Sequence, residues 1–291
     1  KIIKPNIGVI TNISYAHIKN FKNLPGIAKA KSEIIDNIVD NGSVVLNADD
    51  QFYNYLKLKA LKKKLKIISF SKKNKSNIMF EKIKSFKNIS ILKININGKS
   101  KKFLIKRNLE NFIDNILASL AVISNFLDLK DVDEKFFLNY NLPQGRGDYN
   151  YIKIKKKRIH FIDESYNSNP LSLEFALNKY NKMKSKSKRK IILLGDMLEL
   201  GKFSKKLHIE AAKLVNNTCV NKVYVYGKSI IDTFNKIKPQ KRGKILKSRK
   251  DILNFLRNDI KDGEYLMIKG SNSTGLNSIA KKLKSGGLNA I

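Results

Sequence analysis

The sequence predicts an α/β protein of two domains: a mostly parallel sheet carrying an antiparallel appendage, then a Rossmann-like, doubly wound unit. Three observations predict it. The 291 residues suffice for two cores. Short runs rich in Ile and Val alternate with stretches whose apolar residues recur at helical spacing, which is the pattern of strand–helix–strand units. The run Pro143-Gln144-Gly145-Arg146-Gly147 breaks that alternation half-way along and sets a boundary between residues 1–146 and 147–291.

Each element has its own justification. Ile7-Gly8-Val9-Ile10 is a short apolar strand, and Thr11 to His17 is the loop that follows it. From Pro25 to Val39, Ile27, Ala30, Ile34, Ile35 and Ile38 recur at helical spacing. Ser43 to Leu46 is a second strand ending in Asn47-Ala48-Asp49-Asp50, and a helix over Gln51 to Lys62 and a strand over Lys66 to Phe70 repeat the unit. Between Ile78 and Lys106 the period changes. Ile89 to Ile96 alternates with a period of two, and Asn97-Gly98 is a hairpin turn because both residues tolerate positive φ. Helices are expected over Glu110 to Phe126 and Asp131 to Tyr140. The second domain opens on a hairpin, Tyr151 to Ile162. Strands at Lys190 to Leu194, Lys222 to Tyr226, Lys244 to Leu246 and Tyr265 to Ile268 then alternate with helices.

A formal net charge of +35 invites a nucleic-acid reading. The lysines, however, are spread along the whole chain among Asn and Ile, as a compositional drift towards those residues produces. There is no arginine-rich tract, zinc-finger spacing or RNA-stacking aromatic motif, so no specific nucleic-acid partner is expected, only weak salt-sensitive binding to polyanions. No apolar run approaches the roughly 20 residues of a membrane span, so no membrane insertion is expected. A single cysteine, Cys219, forms no internal disulfide and suits the cytosol. The chain starts at Lys1 with no signal-peptide pattern, which reads as a start inside a longer protein.

Polar chemistry is densest at Asp163-Glu164-Ser165-Tyr166-Asn167-Ser168-Asn169-Pro170. A strand leads in and a helical run, Leu171 to Met183, leads out. Asn169 is set to act as N-cap, and Pro170 suits the first helical position, where its missing N–H costs nothing. Acid, hydroxyl and amide groups thus gather between a strand and the positive end of a helix, where α/β proteins hold anionic ligands. A well-capped turn without a ligand fits the same spacing. The phosphate loop G-x-x-x-x-G-K-[ST] is absent. Gly195 to Gly201-Lys202 has one residue too many and Phe203 where a hydroxyl is needed; Gly270 to Gly275 has the right gap but is followed by Leu276-Asn277.

Several separated stretches together resemble the Mur ligases, ATP-dependent amide-bond-forming enzymes of peptidoglycan synthesis. They are Gly8 to Ile13 with Ala16-His17, Gly26 to Ile34, Asn47-Ala48-Asp49-Asp50, Asp163 to Pro170, Leu194 to Gly201, and Lys269-Gly270-Ser271. The resemblance covers essentially the whole chain, and its specific part is Ser165 to Pro170 with Gly195 to Gly201. It is nearest to the branch that adds D-alanyl-D-alanine to UDP-N-acetylmuramoyl-tripeptide. It implies that residues 1–146 are an incomplete central ATPase domain whose P-loop lies upstream, and that residues 147–291 are the C-terminal domain. The chain is then an N-terminally truncated copy of a cytoplasmic, monomeric enzyme using ATP and Mg2+. ATP would phosphorylate the tripeptide carboxylate, and the dipeptide amine would attack the acyl phosphate.

The resemblance also assigns residues. His17 would bind a second magnesium, and Lys31 would be carbamylated to offer that magnesium a carboxylate. Asn115 would contact adenine, Arg146 the ATP phosphates, and Asp163 the ribose; Tyr166 and Asn167 would shape the adjoining nucleotide and acceptor pocket. From the residues alone, His17 is equally a polar loop residue, Asn115 a polar helix face and Arg146 a solvated linker charge. Asp196 and Glu199 belong either to an inter-domain face or to a helix cap. His208 matches a family histidine or sits on a helix surface, and His160 is structural. Sister ligases are disfavoured: the Asp-Asn-Pro-Arg signature of the diaminopimelate-adding enzyme is absent, and folylpolyglutamate synthetase motifs do not resemble Asp163 to Pro170. A non-catalytic relative or basic polyanion-binding protein is the reading from another class.

Overall fold

The computed structural model describes residues 3–15, 18–185 and 188–286. The expected metal ligand His17 lies outside them. The chain divides into two compact units, Lys1–Ser14 with Phe21–Asn141, and Tyr15–Asn20 with Leu142–Ile291.

The first unit holds one six-stranded sheet in the order β1 to β6. Strands β1 (Ile7–Ile10), β2 (Ser43–Asn47) and β3 (Lys66–Ser71) are parallel, as expected of strand–helix–strand units. Strands β4 (Ile78–Ser85), β5 (Ile89–Ile96) and β6 (Lys99–Lys106) form an antiparallel meander. The appendage is continuous with the main sheet, because Phe70 and Ser71 of β3 pair with Ile78 and Met79 of β4. Helix α1 (Leu24–Asn37) starts where the Asn23 side chain accepts the Gly26 N–H at 2.9 Å. Helices α2 (Tyr53–Lys62) and α3 (Ile113–Ile123) follow. Ile27, Ile35, Val45, Leu46, Phe70 and Leu117 are among the residues of this core.

One expected helix does not form. Residues from Asp131 to Tyr140 make successive turns instead. The Asp133 carboxylate accepts the Lys135 N–H at 2.6 Å, and Phe136 and Leu138 donate three residues back rather than four. Leu104 of β6 donates to the Glu134 carbonyl at 2.7 Å, and Phe137 packs edge-on against Phe103 at 5.7 Å. A local side-chain acceptor and a tertiary contact therefore override weak helical periodicity.

The second unit has the strand order β11-β10-β9-β12-β8-β7. Its elements are β7 (Asp148–Ile154), β8 (Lys157–Glu164), α4 (Pro170–Lys182), β9 (Lys190–Gly195), α5 (Ser204–Asn216), β10 (Lys222–Tyr226), α6 (Ile230–Lys236), β11 (Arg242–Leu246), α7 (Arg249–Asn254), β12 (Tyr265–Lys269) and α8 (Leu276–Lys284). All neighbours are parallel except the β7–β8 hairpin. The last strand, β12, inserts between β8 and β9, so the loops that leave these three strands lie side by side at one sheet edge. Ile152, Phe161, Leu193 and Leu266 pack with Phe255 and Ile279 into one core. Tyr180 of α4 shares its hydroxyl proton between the carbonyls of Ile191 (3.0 Å) and Tyr265 (2.8 Å), which ties that helix across β9 and β12.

Candidate active site

Successive residues of a strand face opposite ways, and at the end of β8 this separates two acids. Asp163 turns inward and is 1% exposed. One of its oxygens accepts the Ser165 N–H (3.1 Å) and hydroxyl (2.6 Å); the other pairs with Lys284 of α8 at 2.6 Å. Lys284 also pairs with Asp148 at 2.8 Å; burial opposes its charge, but the two carboxylates prevail and raise its pKa. Both oxygens of Asp163, the expected ribose contact, are thus already engaged inside this unit.

Glu164 turns the other way and lies half-buried beside Lys179 of α4 and Lys269 of β12. Burial pushes its carboxyl pKa up, against the pull of Lys269 and Lys179. Burial likewise lowers the pKa of Lys269 to about 8, with Glu164 working to raise it and Arg146 to lower it further. A tight ion pair would shift both groups in the opposite directions. At 4.0 Å the attraction between Glu164 and Lys269 is too weak to offset the loss of water. Lys269 donates instead to the Asn167 carbonyl at 2.9 Å, and Lys179 to the Gly147 carbonyl at 3.0 Å.

The linker ahead of β7 is strapped to this edge. Gly145 donates to Asp148 (2.8 Å), Gly147 to the Asp163 carbonyl (2.7 Å), and Tyr166 to the Gly145 carbonyl (3.1 Å). Gly147 has φ +85°, and a Cβ there would stand 2.6 Å from Glu164 Oε1 and 2.8 Å from Lys179 Nζ. The straps bring Arg146 over the face of Tyr166, with 4.4 Å from guanidinium to ring centroid. Both side chains are exposed, as is Asn167. The carbonyl of the next residue, Ser168, accepts the Ser271 hydroxyl at 3.2 Å. Asn169 and Ser172 form a reciprocal capping box that satisfies the start of α4.

Ser271 gathers the neighbouring loops. Its hydroxyl accepts the Leu198 N–H (2.9 Å), and its own N–H reaches the Asp196 carbonyl (3.0 Å). The Asp196 carboxylate accepts the N–H groups of Ile230 (2.7 Å) and Lys228 (3.1 Å), so it caps α6 rather than the helix that follows it in sequence. Gly227 (φ +136°) leaves room for that carboxylate, with which a Cβ would collide. His208 is fully buried rather than on a helix surface. Its Nδ1 faces the Ser204 carbonyl (2.8 Å) and so donates, while Nε2 accepts the Met197 N–H (3.1 Å). His160 stacks on Tyr265 with centroids 4.0 Å apart, and burial lowers its pKa.

In the first unit, three side chains hold three consecutive residues of the loop after β1. Asn47 donates to the Thr11 carbonyl (3.0 Å), Lys31 to the Asn12 carbonyl (2.9 Å), and Asp50 accepts the Ile13 N–H (2.6 Å). Burial lowers the Lys31 pKa, against the opposing effect of Asp50. Asp49 accepts from the backbone of Lys72 (2.6 Å) and Asn74 (3.0 Å). Asn47, Asp49, Asp50 and Glu164 lie in stretches that carry the family resemblance, which assigned them no role, and Lys179 and Lys284 had no sequence signal. Asn115 is exposed on α3. Among the described residues no three His, Cys, Asp or Glu side chains converge as metal ligands. Magnesium takes oxygen donors, so the Lys31 amine fits it only once converted to a carbamate. Among the described residues no helix is long and apolar enough to cross a membrane.

Two family models match these two units. Residues 1–123 match the Mur ligase middle domain, and residues 150–272 match the Mur ligase, glutamate ligase domain. The chain belongs to the Mur ligase family. Among curated Mur ligases, the UDP-N-acetylmuramoyl-tripeptide--D-alanyl-D-alanine ligase of Rickettsia prowazekii is 31% identical over 96% of this chain and 61% of its own length. The ligase of the same name from Escherichia coli is 23% identical over 98% and 62%. The chain thus spans about three fifths of the length of these relatives. Solved Mur ligase structures share the fold. MurF from Acinetobacter baumannii superposes with a TM-score of 0.79 at 22% identity, covering 97% of this chain and 60% of that one. MurF from Thermotoga maritima, in complex with ADP, gives 0.79 at 20% identity over 97% and 62%.

Proposed function

We propose that this chain supplies middle- and C-terminal-domain parts of an ATP-dependent ligase that adds D-alanyl-D-alanine to UDP-N-acetylmuramoyl-tripeptide, in cytoplasmic peptidoglycan precursor synthesis. The observation that carries the reading is the run of relatives bearing that activity in their names, matched over 96–97% of this chain for the first three. The ADP in the Thermotoga maritima structure supports nucleotide use. The strapped edge of the second unit supports it too, because it presents an Arg on an aromatic face beside a helix start, a surface suited to phosphate and adenosine.

In this reading ATP transfers its γ-phosphoryl group to the tripeptide carboxylate, releasing ADP. The dipeptide amine then attacks the acyl phosphate, and phosphate leaves as the amide forms. Bound magnesium would neutralise the charge that accumulates when a carboxylate approaches a polyanion. The Lys31 carbamate and His17 would hold it. Arg146 would reach the phosphates, Asn115 the adenine, and Tyr166 and Asn167 the adjoining pocket. Asp163 would serve nucleotide binding through Ser165, which it fixes. Residues 1–146 would belong to a middle domain whose P-loop lies upstream, and residues 147–291 to the C-terminal domain, in a monomer.

The lowered pKa of Lys31 favours this role, because only the neutral amine takes up CO2. In the complete ligase, Lys31→Ala should lower kcat by about a hundredfold, the scale of losing one preorganised electrostatic group. A small carboxylic acid should restore part of it. Steady-state kinetics with and without that acid test the assignment; unchanged turnover would sink it.

A further inference from the structure

We propose that Lys269 is a positioning residue of this ligase: from the end of β12 it holds the loop that presents Tyr166 and Asn167, and so sets the affinity for ATP, the ligand suited to that edge. The proposal rests on the ligase reading above. Lysines are everywhere in this sequence, but among the described residues the structure buries two of them, Lys190 and Lys269. Lys190 has an ordinary explanation. Its ammonium donates to the carbonyls of Tyr180 (2.8 Å) and Asn181 (3.0 Å) in the last turn of α4, where a cation is favoured.

Lys269 has no helix end to serve. It is 1% exposed at the end of a wholly buried strand, a position where an apolar side chain would cost nothing in desolvation. Its one close partner is the Asn167 carbonyl, 102 positions away in sequence at 2.9 Å. Two residues on, Ser271 holds the Ser168 carbonyl at 3.2 Å. One strand end therefore fixes two successive carbonyls of the loop from beneath, while the side chains of Tyr166 and Asn167 stay exposed above. Charged groups face Lys269 from two sides: Glu164 of β8 at 4.0 Å, and Arg146 from the linker, whose charge opposes it. Lys179 of α4 faces the same glutamate. A charge-assisted bond to a carbonyl is stronger than a neutral one, and a loop held that way enters binding already ordered.

The contact is tested by following the Asn167 carbonyl 13C resonance of the labelled chain with pH. Burial sets the Lys269 pKa to about 8, so that resonance should titrate with a midpoint near 8 in the wild type and stay flat in Lys269→Met. The function is tested in the complete ligase. Lys269→Met should raise KM for ATP by about tenfold or more with a smaller change in kcat, the size expected for one charged hydrogen bond. Lys269→Arg, which keeps the charge, should recover part of that loss. A wild-type resonance that does not move between about pH 7 and 11, a window spanning both the lowered and the ordinary lysine pKa, overturns the contact even if the Met variant fails to fold. An unchanged KM in a folded Met variant overturns the positioning role. A wild-type enzyme that makes no ligation product overturns the ligase reading and the substrate part of the proposal with it, whereas the resonance still decides the contact.

Discussion

His208 shows how much one internal side chain decides. Its two nitrogens bridge the start of α5 to the loop after β9, which also carries Asp196 and Leu198. Both bonds require the neutral ring, protonated on Nδ1. His208→Phe keeps the aromatic volume but leaves the Met197 N–H without its acceptor, at a cost of about 1–3 kcal/mol. Urea unfolding of the two proteins should show the midpoint fall, and an equal midpoint would mean that water replaces the ring. The sequence named His208 but left its place open, since a histidine in a helical run reads the same inside or outside. Asp163 and Glu164 were adjacent letters of one motif. Only the direction in which β8 ends makes one an internal anchor and sets the other beside two lysines.

The caps of α4 and α6 contrast two kinds of legibility. Asn169-Pro170 announces the start of α4 because its cap is built from neighbours in sequence. Helix α6 has no capping bond from its own N-cap, Ser229; its cap is Asp196, 34 residues upstream. Asp196→Ala should therefore destabilise the protein by about 1–2 kcal/mol, the range for a lost N-cap. Local loss of amide protection at Ile230 would identify the cause, and protection equal to wild type would refute it. The turns over 131–140 make the same point in reverse, where a helical pattern yields to Asp133 and to the packing of Phe137 on Phe103.

At the scale of the whole molecule the dominant quantity is the charge of +35. Like charges spread over a folded chain repel, and salt screens them. The melting temperature should rise when NaCl is raised from about 0.05 to 0.5 M, a range over which the screening length falls several-fold. Binding to a generic polyanion should weaken over the same range. A melting temperature that falls with salt would mean that favourable ion pairs, such as Lys284 with Asp148 and Asp163, outweigh the general repulsion.

The order of strands and helices apart from the helix expected over 131–140, the hairpin at Asn97-Gly98, the cap at Asn169 and the resemblance to the Mur ligases were legible in the sequence. Each depends on periodicity or on residues close together in the chain, and local sterics and hydrogen bonds act over that distance. The tertiary structure alone decided which lysines are internal, which of two adjacent acids faces Lys179 and Lys269, and that Arg146 meets Tyr166. Those outcomes follow from β12 entering between β8 and β9, which brings Lys269 to a carbonyl 102 residues away. No local pattern encodes such a pairing. The energy of a buried charge depends on the water it loses and the partners it meets, and both are fixed only when the sheet has closed around it.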